Sequence, residues 1–367
     1  MTAGPILLTP GPVQIPESVR SVMAEPIFHH RTPRFRELLF RVSSKLKTVF
    51  RTENPVYTIA GSGSAGMEAS VINFHSGNDQ VLVIDTGKFG SRFTEIAKVY
   101  GLVPHVLSVR WGQAADPALV DKMLAGNPAI KSVFVQLCET STAVLNDIRA
   151  IGAITQRRGA LLIVDAIAGL AADVLESDAW GADVVIGGSQ KALMLPPGLA
   201  FVSVSSRARA RMAEARLPRY YFDLMKYEKN LAAGDTPFTP ATMLVYAADQ
   251  ALDLILGEGL ENVWKRSSEL SAYTREELKI MGFEIFSQSP SAALTAAVFP
   301  EGFDGKKFIR RLREEKEITV AGGQGAMKNR MMRVAHMGSI GKKDLQTGFQ
   351  AMRDLLASRD MLEAQVA

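Results

Sequence analysis

The strongest constraint on the fold is a pair of apolar runs, each followed by a titratable side chain. The run Leu161–Val164 ends in Asp165, and the run Val184–Ile186 is followed by a short glycine-containing segment and Lys191. Short continuous apolar runs of this kind are typical of strands buried on both faces, as in parallel sheets. Because ligands of such sheets bind beyond the carboxyl ends of the strands, Asp165 and Lys191 are predicted to reach one crevice.

An amine and a carboxylate in one crevice suit pyridoxal phosphate (PLP). A lysine amine forms a Schiff base with the aldehyde, and a carboxylate holds a proton on the pyridine nitrogen so that the ring accepts electrons. The same two residue types also occur without this chemistry, because an aspartate at a strand end is often a helix cap and a loop lysine is usually solvated. Further motifs are needed to decide between these interpretations.

With 367 residues and a net charge of +4, the chain is too long for one hydrophobic core, which predicts two domains. Its densest basic cluster, within residues 306–313, is followed by acidic residues at helical spacing, which favours a solvated helix face over a nucleic-acid site. The single cysteine, Cys138, excludes an internal disulfide and fits a reducing compartment. No apolar run reaches the length of a membrane span and no signal peptide is evident, so we expect a cytoplasmic protein without membrane or nucleic-acid partners.

A glycine-rich loop, Gly61–Gly66, follows the β-rich run Val56–Ala60 and precedes a predicted helix over Met67–Phe74. Backbone N–H groups and the positive end of a helix dipole at such a loop bind phosphate. The G-x-G-x-x-G spacing, with Asp85 19 residues after the last glycine, also fits a dinucleotide-binding loop. A nicotinamide-dependent enzyme is therefore an alternative, since the motif indicates a phosphate without indicating which one.

Two further groups follow predicted strands. Phe89 lies between glycines, before a helix predicted to begin at Ser91, where its ring could stack on a pyridine. Thr140 belongs to a hydroxyl cluster after the strand Val133–Leu137 and could hydrogen-bond to a ring hydroxyl or a phosphate, although N-capping alone would explain one such hydroxyl. Strands and helices alternate from about residue 56 to 205, which predicts an α/β fold with a doubly wound, mostly parallel sheet.

Prolines and glycines suggest where the chain divides. Residues 1–19 contain Thr9-Pro10-Gly11-Pro12 and are predicted to form an extended arm. Residues 20–257 are predicted to form the large domain, in which segment 216–234 has no clear period and is expected to be a surface excursion. Residues 258–367 are expected to form a smaller C-terminal α+β domain.

Several motifs together point to one family. They are Thr9-Pro10-Gly11-Pro12, Gly61-Ser62-Gly63-Ser64 with Met67-Glu68-Ala69, Glu139-Thr140-Ser141-Thr142, Val164-Asp165-Ala166, and Gly188-Ser189-Gln190-Lys191-Ala192-Leu193 with Pro196-Pro197-Gly198. In these motifs the chain resembles, nearly end to end, the class V, fold-type I PLP aminotransferases of the alanine–glyoxylate, serine–glyoxylate and serine–pyruvate group.

The resemblance implies a role for each matched residue. Lys191 would be the Schiff-base lysine and the base that moves the proton, and Asp165 would pair with the pyridine nitrogen. Arg333 would hold the substrate carboxylate, with Gly11 on the substrate side. The remaining cofactor contacts would come from Gly63, Ser64, Ala65, Phe89, Thr140 and Gln190, and from Thr236 and Thr239 of the neighbouring subunit in a homodimer with shared active sites. No metal is expected.

Three positions depart from the family pattern and leave substrate choice open. Ala143 stands where the family commonly has glycine, Ile167 begins a segment that often holds serines in the family, and Phe89 replaces a frequent tryptophan. Phe89 keeps the stacking surface of the tryptophan ring but loses its N–H donor.

The expected function is amino-group transfer from alanine or serine to glyoxylate or pyruvate, in a ping-pong cycle at Lys191. One evident carboxylate clamp argues for small monocarboxylic substrates, although His30, Arg31 and His336 could also line the cleft. One alternative is a 2-aminoethylphosphonate–pyruvate transaminase, which would need only one more cation such as Arg31. Another class V enzyme, cysteine desulfurase, needs a reactive cysteine in the C-terminal half, and Cys138 is too early. The non-enzyme alternative is a catalytically retired subunit that keeps the fold for binding.

Overall fold

The computed structural model describes residues 5–358, so the first four residues of the predicted arm and the last nine of the predicted C-terminal domain lie outside the described residues. The helices are α1 (Glu17–Met23), α2 (Pro33–Phe50), α3 (Gly63–Ile72), α4 (Lys88–Val99), α5 (Pro117–Gly126), α6 (Ile148–Arg158), α7 (Ser206–Glu214), α8 (Leu224–Ala232), α9 (Thr242–Glu258), α10 (Leu260–Ile280), α11 (Gly305–Lys316) and α12 (Lys342–Leu356). The strands are β1 (Ile6–Leu7), β2 (Val56–Ala60), β3 (Gln80–Asp85), β4 (Val103–Ser108), β5 (Ile130–Gln136), β6 (Cys138–Glu139), β7 (Val144–Leu145), β8 (Leu161–Asp165), β9 (Val184–Gly188), β10 (Leu199–Val204), β11 (Glu284–Ile285), β12 (Leu294–Val298), β13 (Ile318–Thr319), β14 (Ala321–Gly322) and β15 (Met331–Ala335).

The main sheet has seven strands in the order β2-β10-β9-β8-β5-β3-β4. The pairs β4–β3, β3–β5, β5–β8 and β8–β9 are parallel, and β10 runs antiparallel to both of its neighbours. All five residues of β8 and all five of β9 are buried, as expected for central strands covered by helices on both faces. The predicted α/β fold with a mostly parallel sheet is therefore confirmed. The strands β8 and β9 place Asp165 and the segment leading to Lys191 together, beyond the carboxyl ends of the strands.

The position of β2 speaks against the dinucleotide-binding alternative. In a dinucleotide-binding unit, the strands before and after the glycine loop are parallel neighbours in the sheet. Here β2 forms one edge and pairs with β10, whereas β3 lies near the opposite edge between β5 and β4. Asp85, which that alternative needs for a ribose, instead accepts hydrogen bonds from Gly87 N and Ser91 Oγ and stabilises its own turn.

A second, antiparallel sheet has the order β11-β12-β15-β14. Its apolar face packs with α10, α11 and α12 around a phenylalanine-rich cluster that includes Phe283, Phe299, Phe308 and Phe349. The N-terminal segment is tied to this half of the chain, because β1 pairs in parallel with β13. The arm thereby runs from β13 toward the carboxyl ends of the parallel strands of the main sheet.

Three local predictions were wrong. The helix predicted over Met67–Phe74 is α3, which begins at Gly63 and ends at Ile72. Segment 216–234 is not an irregular excursion, because it contains α8, whose Leu224 and Tyr227 are buried against the main sheet. A helix of nine residues shows too few turns for its period to stand out. The helix α4 begins at Lys88 rather than at Ser91, which places Phe89 in its first turn. Among residues 5–358, no helix combines the length and apolar character that a membrane span requires.

Candidate active site

Asp165 closes β8 at the carboxyl edge of the main sheet and is almost fully buried. One of its oxygens, Oδ1, accepts a hydrogen bond of 2.9 Å from the backbone N–H of Ile167. Burial raises the pKa of Asp165 to about 7, with the charge of Glu139 acting in the same direction and that of Lys191 opposing it. The carboxylate is thus poised to respond to a positively charged neighbour.

Lys191 follows β9 and extends toward the N-terminal arm, where its Nζ donates a hydrogen bond to the carbonyl oxygen of Pro10. Burial, together with the charge of Arg333, lowers the pKa of Lys191 to about 8. Gly11 has a φ of +124°, and a Cβ there would lie 2.6 Å from both Cδ and Nζ of Lys191. The positive φ favours glycine at this position, and the arm brings Gly11 directly against the lysine.

The glycine loop supplies an open helix N-terminus beside Asp165. Gly63 is the first residue of α3, and the side chain of its N-cap, Ser62, makes no capping hydrogen bond. Within residues 5–358, no acceptor takes a hydrogen bond from the backbone N–H of Gly63 or Ser64. A Cβ on Gly63 would lie 2.4 Å from Cδ1 of Ile167, so a larger residue here would require the isoleucine side chain to shift. The arrangement is that of an anion site, with Ala65 in the same first turn.

Glu139 explains why α4 begins earlier than predicted. This buried carboxylate accepts hydrogen bonds from the backbone N–H of Phe89 at 3.0 Å and of Gly90 at 3.1 Å. Its other oxygen accepts from both the N–H and the hydroxyl of Ser141. The helix start is therefore capped by a residue 50 positions away, which local sequence does not reveal. Burial raises the pKa of Glu139, and these hydrogen bonds oppose that shift.

Arg333 reaches the site from β15 of the second sheet and is nearly fully buried. Its Nη1 donates to the carbonyl oxygen of Thr140 at 3.0 Å, and its Nε and Nη2 donate to the carbonyl oxygen of Gly322 at 3.0 and 2.9 Å. In the described chain no carboxylate forms an ion pair with this guanidinium. Burial lowers the pKa of Arg333 to about 10, opposed by the charge of Glu139, so the group stays charged at neutral pH.

Gln190 and Ile167 connect the lysine segment with the glycine loop. The side-chain Oε1 of Gln190 is buried and has no hydrogen-bond partner in the described part of the chain. A Cβ on Gly188 would lie 2.9 Å from Cγ2 of Ile167 and 3.3 Å from Oε1 of Gln190. Since the same isoleucine packs over Gly63, the structure places Gln190 near the open start of α3.

One residue of this site was not identified from the sequence. Arg92, on α4, donates from Nη1 to the hydroxyl of Ser64 at 3.0 Å. Its guanidinium carbon also lies 4.7 Å from the centroid of the Phe89 ring. The signal that could have revealed it is the i, i+3 spacing of Phe89 and Arg92, which places both on one helix face only if the helix begins before Phe89.

The structure does not bring Thr236 and Thr239 to the lysine of the same chain. Thr236 donates to the carbonyl oxygen of Phe238 at 2.8 Å. Thr239 is exposed and lines a cavity of about 590 Å³ together with residues 27–30 and 240–244. The contacts that join the other predicted site residues do not include either threonine.

From the sequence, His30, Arg31 and His336 could each line the cleft. Of these three, His336 is part of the core. It is fully buried, with Nδ1 bonded to the carbonyl oxygen of Ala292 and Nε2 bonded to the hydroxyl of Thr295. Arg31 is exposed and pairs with Asp235 at 2.7 Å. His30 lies in the cavity that Thr239 lines.

A sequence model of the family "Aminotransferase class-V" matches residues 22–342. The chain belongs to this family. Among curated relatives of this class V aminotransferase, a protein of Methanocaldococcus jannaschii named as an uncharacterized aminotransferase is 40% identical over 93% of this chain and 89% of its own length. The small subunit of a soluble hydrogenase from Synechococcus is 38% identical over 96% and 93%. A serine–glyoxylate aminotransferase from Methylorubrum extorquens is 32% identical over 92% and 88%.

Solved structures similar to this class V aminotransferase cover nearly all of it. The ureidoglycine–glyoxylate aminotransferase of Bacillus subtilis superposes with a TM-score of 0.93, at 29% identity, over 100% of this chain and 98% of that one. The alanine–glyoxylate aminotransferase of Nostoc gives a TM-score of 0.93, at 30% identity, over 97% and 96%. These likenesses confirm the fold-type I prediction and the alanine/serine–glyoxylate group that the motifs indicated.

The family and its fold are PLP-dependent, and the residues of this site fit that cofactor. The N–H groups of Gly63 and Ser64, which have no acceptor within residues 5–358, lie at a helix start and suit a phosphate. Asp165 is buried with one direct hydrogen bond in the described chain, so it has capacity for a pyridine N–H. Lys191 presents its amine against Pro10 and Gly11 of the arm.

Proposed function

We propose that this class V aminotransferase binds PLP and transfers the amino group of alanine or serine to glyoxylate or pyruvate in two half-reactions at one site. The observation that carries the proposal is the set of three titratable groups, the buried Asp165 and Arg333 and the partly buried Lys191, that form no ion pairs within residues 5–358. Each is held by backbone groups instead, which leaves its charge available to a ligand. The glyoxylate acceptor is supported by the names of two structural neighbours and one relative.

When bound, PLP supplies an aldehyde that takes up an amino group and a ring that accepts electrons from the substrate. Lys191 is suited to reversible attachment because its pKa of about 8 leaves part of the amine neutral, and therefore nucleophilic, near neutral pH. Once displaced by the incoming amino acid, the same amine can remove and return the substrate proton. Asp165 would accept the pyridine N–H, and that positive charge would in turn favour the ionised carboxylate.

Arg333 is proposed to bind the α-carboxylate of both substrates. Its three hydrogen bonds to carbonyl oxygens fix the guanidinium plane but do not neutralise it, so two N–H bonds remain for a carboxylate. Arg31 is occupied by Asp235, and His336 is buried in the core. A second carboxylate or a phosphonate on the substrate therefore has no obvious partner among these candidates, which favours small monocarboxylic substrates.

We further propose a homodimer in which Thr236 and Thr239 of one subunit contact the cofactor phosphate of the other. Support comes from the exposed apolar surface near these threonines, where Ile27 is 76% exposed and Tyr220 is 73% exposed. Exposed apolar side chains grouped around a cavity are typical of an interface.

The first experiment is the absorption spectrum of the purified protein, recorded before and after separate additions of L-alanine, L-serine, L-aspartate and 2-aminoethylphosphonate. We expect a visible cofactor band that alanine or serine removes and glyoxylate restores. Conversion by 2-aminoethylphosphonate alone would replace the proposed donor class. A protein that stays colourless in the presence of added PLP would contradict the cofactor assignment.

The relative named as a hydrogenase subunit favours a second candidate, a subunit that retains this fold without amino transfer. This candidate predicts that Lys191→Ala leaves the biological role of the protein unchanged. The proposed enzyme predicts complete loss of amino transfer in the same variant. Cysteine desulfurase is disfavoured, because Cys138 is fully buried in the strand β6 and its burial raises the pKa of the thiol.

A further inference from the structure

The first turn of α4 presents two side chains, Phe89 and Arg92, to the same side of the site. They are three positions apart, so they are neighbours on one helix face. The guanidinium of Arg92 lies over the Phe89 ring at 4.7 Å, a distance at which the ring quadrupole attracts a cation. Glu139 holds the backbone of this turn in place through the N–H groups of Phe89 and Gly90.

Arg92 also contacts the glycine loop. Its Nη1 donates a hydrogen bond of 3.0 Å to the hydroxyl oxygen of Ser64. A serine hydroxyl has one proton and two lone pairs. Because one lone pair accepts from the arginine, the hydroxyl proton is free to be donated elsewhere. Ser64 is the second residue of α3, where its own backbone N–H has no acceptor in residues 5–358.

The charge of Arg92 is not neutralised by a carboxylate in the described chain, where its direct contacts are a hydroxyl and a ring. It acts on the pKa of both Asp165 and Lys191, lowering each, which is consistent with a location beside them. A cation that is bound to a neutral hydroxyl at an open helix start is well placed to favour an anion there.

We propose that Arg92 is a positioning residue for the cofactor phosphate: it orients the Ser64 hydroxyl as a donor into the start of α3 and adds a positive charge behind it. The inference rests on the proposed use of PLP. It assigns the arginine to the phosphate rather than to the substrate carboxylate, which remains with Arg333.

Paired titrations of the apoprotein with PLP and with pyridoxal, which lacks the phosphate, test this role without measuring turnover. We expect Arg92→Gln to raise the Kd for PLP about tenfold or more, because a hydrogen bond to a charged group is lost, and to change the Kd for pyridoxal by less than about twofold. Ser64→Ala should weaken PLP binding as well. The double variant should be no weaker than the worse single variant, because both act through one contact.

Two variants serve as controls. Lys98→Gln removes an exposed positive charge from the last turn of the same helix and should leave both Kd values unchanged. Arg92→Lys keeps the charge and should recover part of the PLP affinity, and it also replaces Arg92→Gln if that variant does not fold. Additive effects of the two single variants, or equal losses for PLP and pyridoxal, would overturn the inference. Failure of the wild-type protein to bind PLP would instead overturn the proposed function.

Discussion

Asp183 and Asp165 are both buried in the main sheet, at opposite ends of its central strands, and their surroundings differ. Asp183 precedes β9 at the amino edge and accepts hydrogen bonds from Leu162 N at 2.8 Å, Ser205 Oγ at 2.9 Å and Arg207 Nε at 2.9 Å. Asp165 ends β8 at the carboxyl edge and accepts one direct hydrogen bond within residues 5–358. The carboxylate of Asp183 has an arginine partner and its hydrogen bonds are made. The carboxylate of Asp165 has neither a cationic partner nor a full set of hydrogen bonds within residues 5–358.

The contrast distinguishes two uses of buried charge. A buried carboxylate that is paired and hydrogen-bonded stabilises the fold, and removing one partner is costly. A buried carboxylate without a cation destabilises the ligand-free protein and is available to a ligand. Lys191 and Arg333 follow the second pattern, because carbonyl oxygens hold them and no acidic side chain in the described chain forms an ion pair with them.

The largest expected effect is that of Lys191→Ala. Removing the amine eliminates both the attachment point and the base, so kcat for alanine–glyoxylate transfer should fall about 1,000-fold or more. Steady-state assays with excess PLP measure this. Lys122→Ala, at an exposed position on α5, is the matched control and should retain activity. A variant of Lys191 with near-normal turnover would contradict its assignment.

Exchanging each aspartate for asparagine tests the comparison directly. Asp165→Asn should lower kcat about 100-fold, because the charge opposite the ring nitrogen is lost. It should leave the free energy of unfolding of the apoprotein unchanged or higher, since burial disfavours the ionised form. Asp183→Asn should do the reverse, keeping kcat while lowering the free energy of unfolding by about 2 kcal/mol.

Denaturant unfolding and steady-state kinetics on both variants decide the matter. If the two substitutions had the same effect on turnover, the distinction between a structural Asp183 and a ligand-binding Asp165 would be wrong.

Arg333→Gln should act on substrate binding. Loss of the charged clamp should raise KM for alanine and for glyoxylate about 10- to 100-fold, with a smaller effect on kcat. The control is Arg207→Gln, which breaks the paired arginine at the amino edge and should change stability but not KM. Equal KM values for wild type and Arg333→Gln would remove this residue from the substrate site.

The last prediction concerns two core histidines and the pH dependence of stability rather than turnover. Burial lowers the pKa of His75 to about 4 and that of His336 to about 3, both below the ordinary 6.5. Below pH 6.5 the unfolded chain therefore binds more protons at these two histidines, and each of them lowers stability by about 1.4 kcal/mol per pH unit as pH drops from 6.5 toward 4. The raised pKa values of Asp165, about 7, and Asp173, about 6, act in the opposite direction over this range, because there the folded state binds the extra proton.

Unfolding titrations at several pH values test this dependence. His336→Gln should reduce the slope by removing one of the two titrations, whatever its effect on absolute stability. An unchanged slope would show that His336 is protonated in the folded state.

Much of this organisation was predictable because it depends on local pattern. Strands β8 and β9 are continuous apolar runs, and the parallel-sheet rule then places Asp165 and the segment of Lys191 at one edge. The start of α4 was not predictable, because it is fixed by Glu139 from 50 positions away. Arg92 was missed for the same reason.

His336 shows a different limit. A histidine that follows a strand fits either a cleft or a core, and only the positions of Ala292 and Thr295, brought together by the second sheet, decide between them. The glycine-rich loop Gly61–Gly66 shows the converse, since its motif was visible but fitted two cofactors until the strand order spoke against one of them.

The pairing of β1 with β13 has a consequence for how the protein is made. The arm that delivers Pro10 and Gly11 to Lys191 is synthesised about 310 residues before the strand that anchors it, Ile318–Thr319. The surroundings of the lysine are therefore completed only after that strand has been made. A chain terminated before residue 318 would leave the arm without its anchoring strand and the lysine site unfinished.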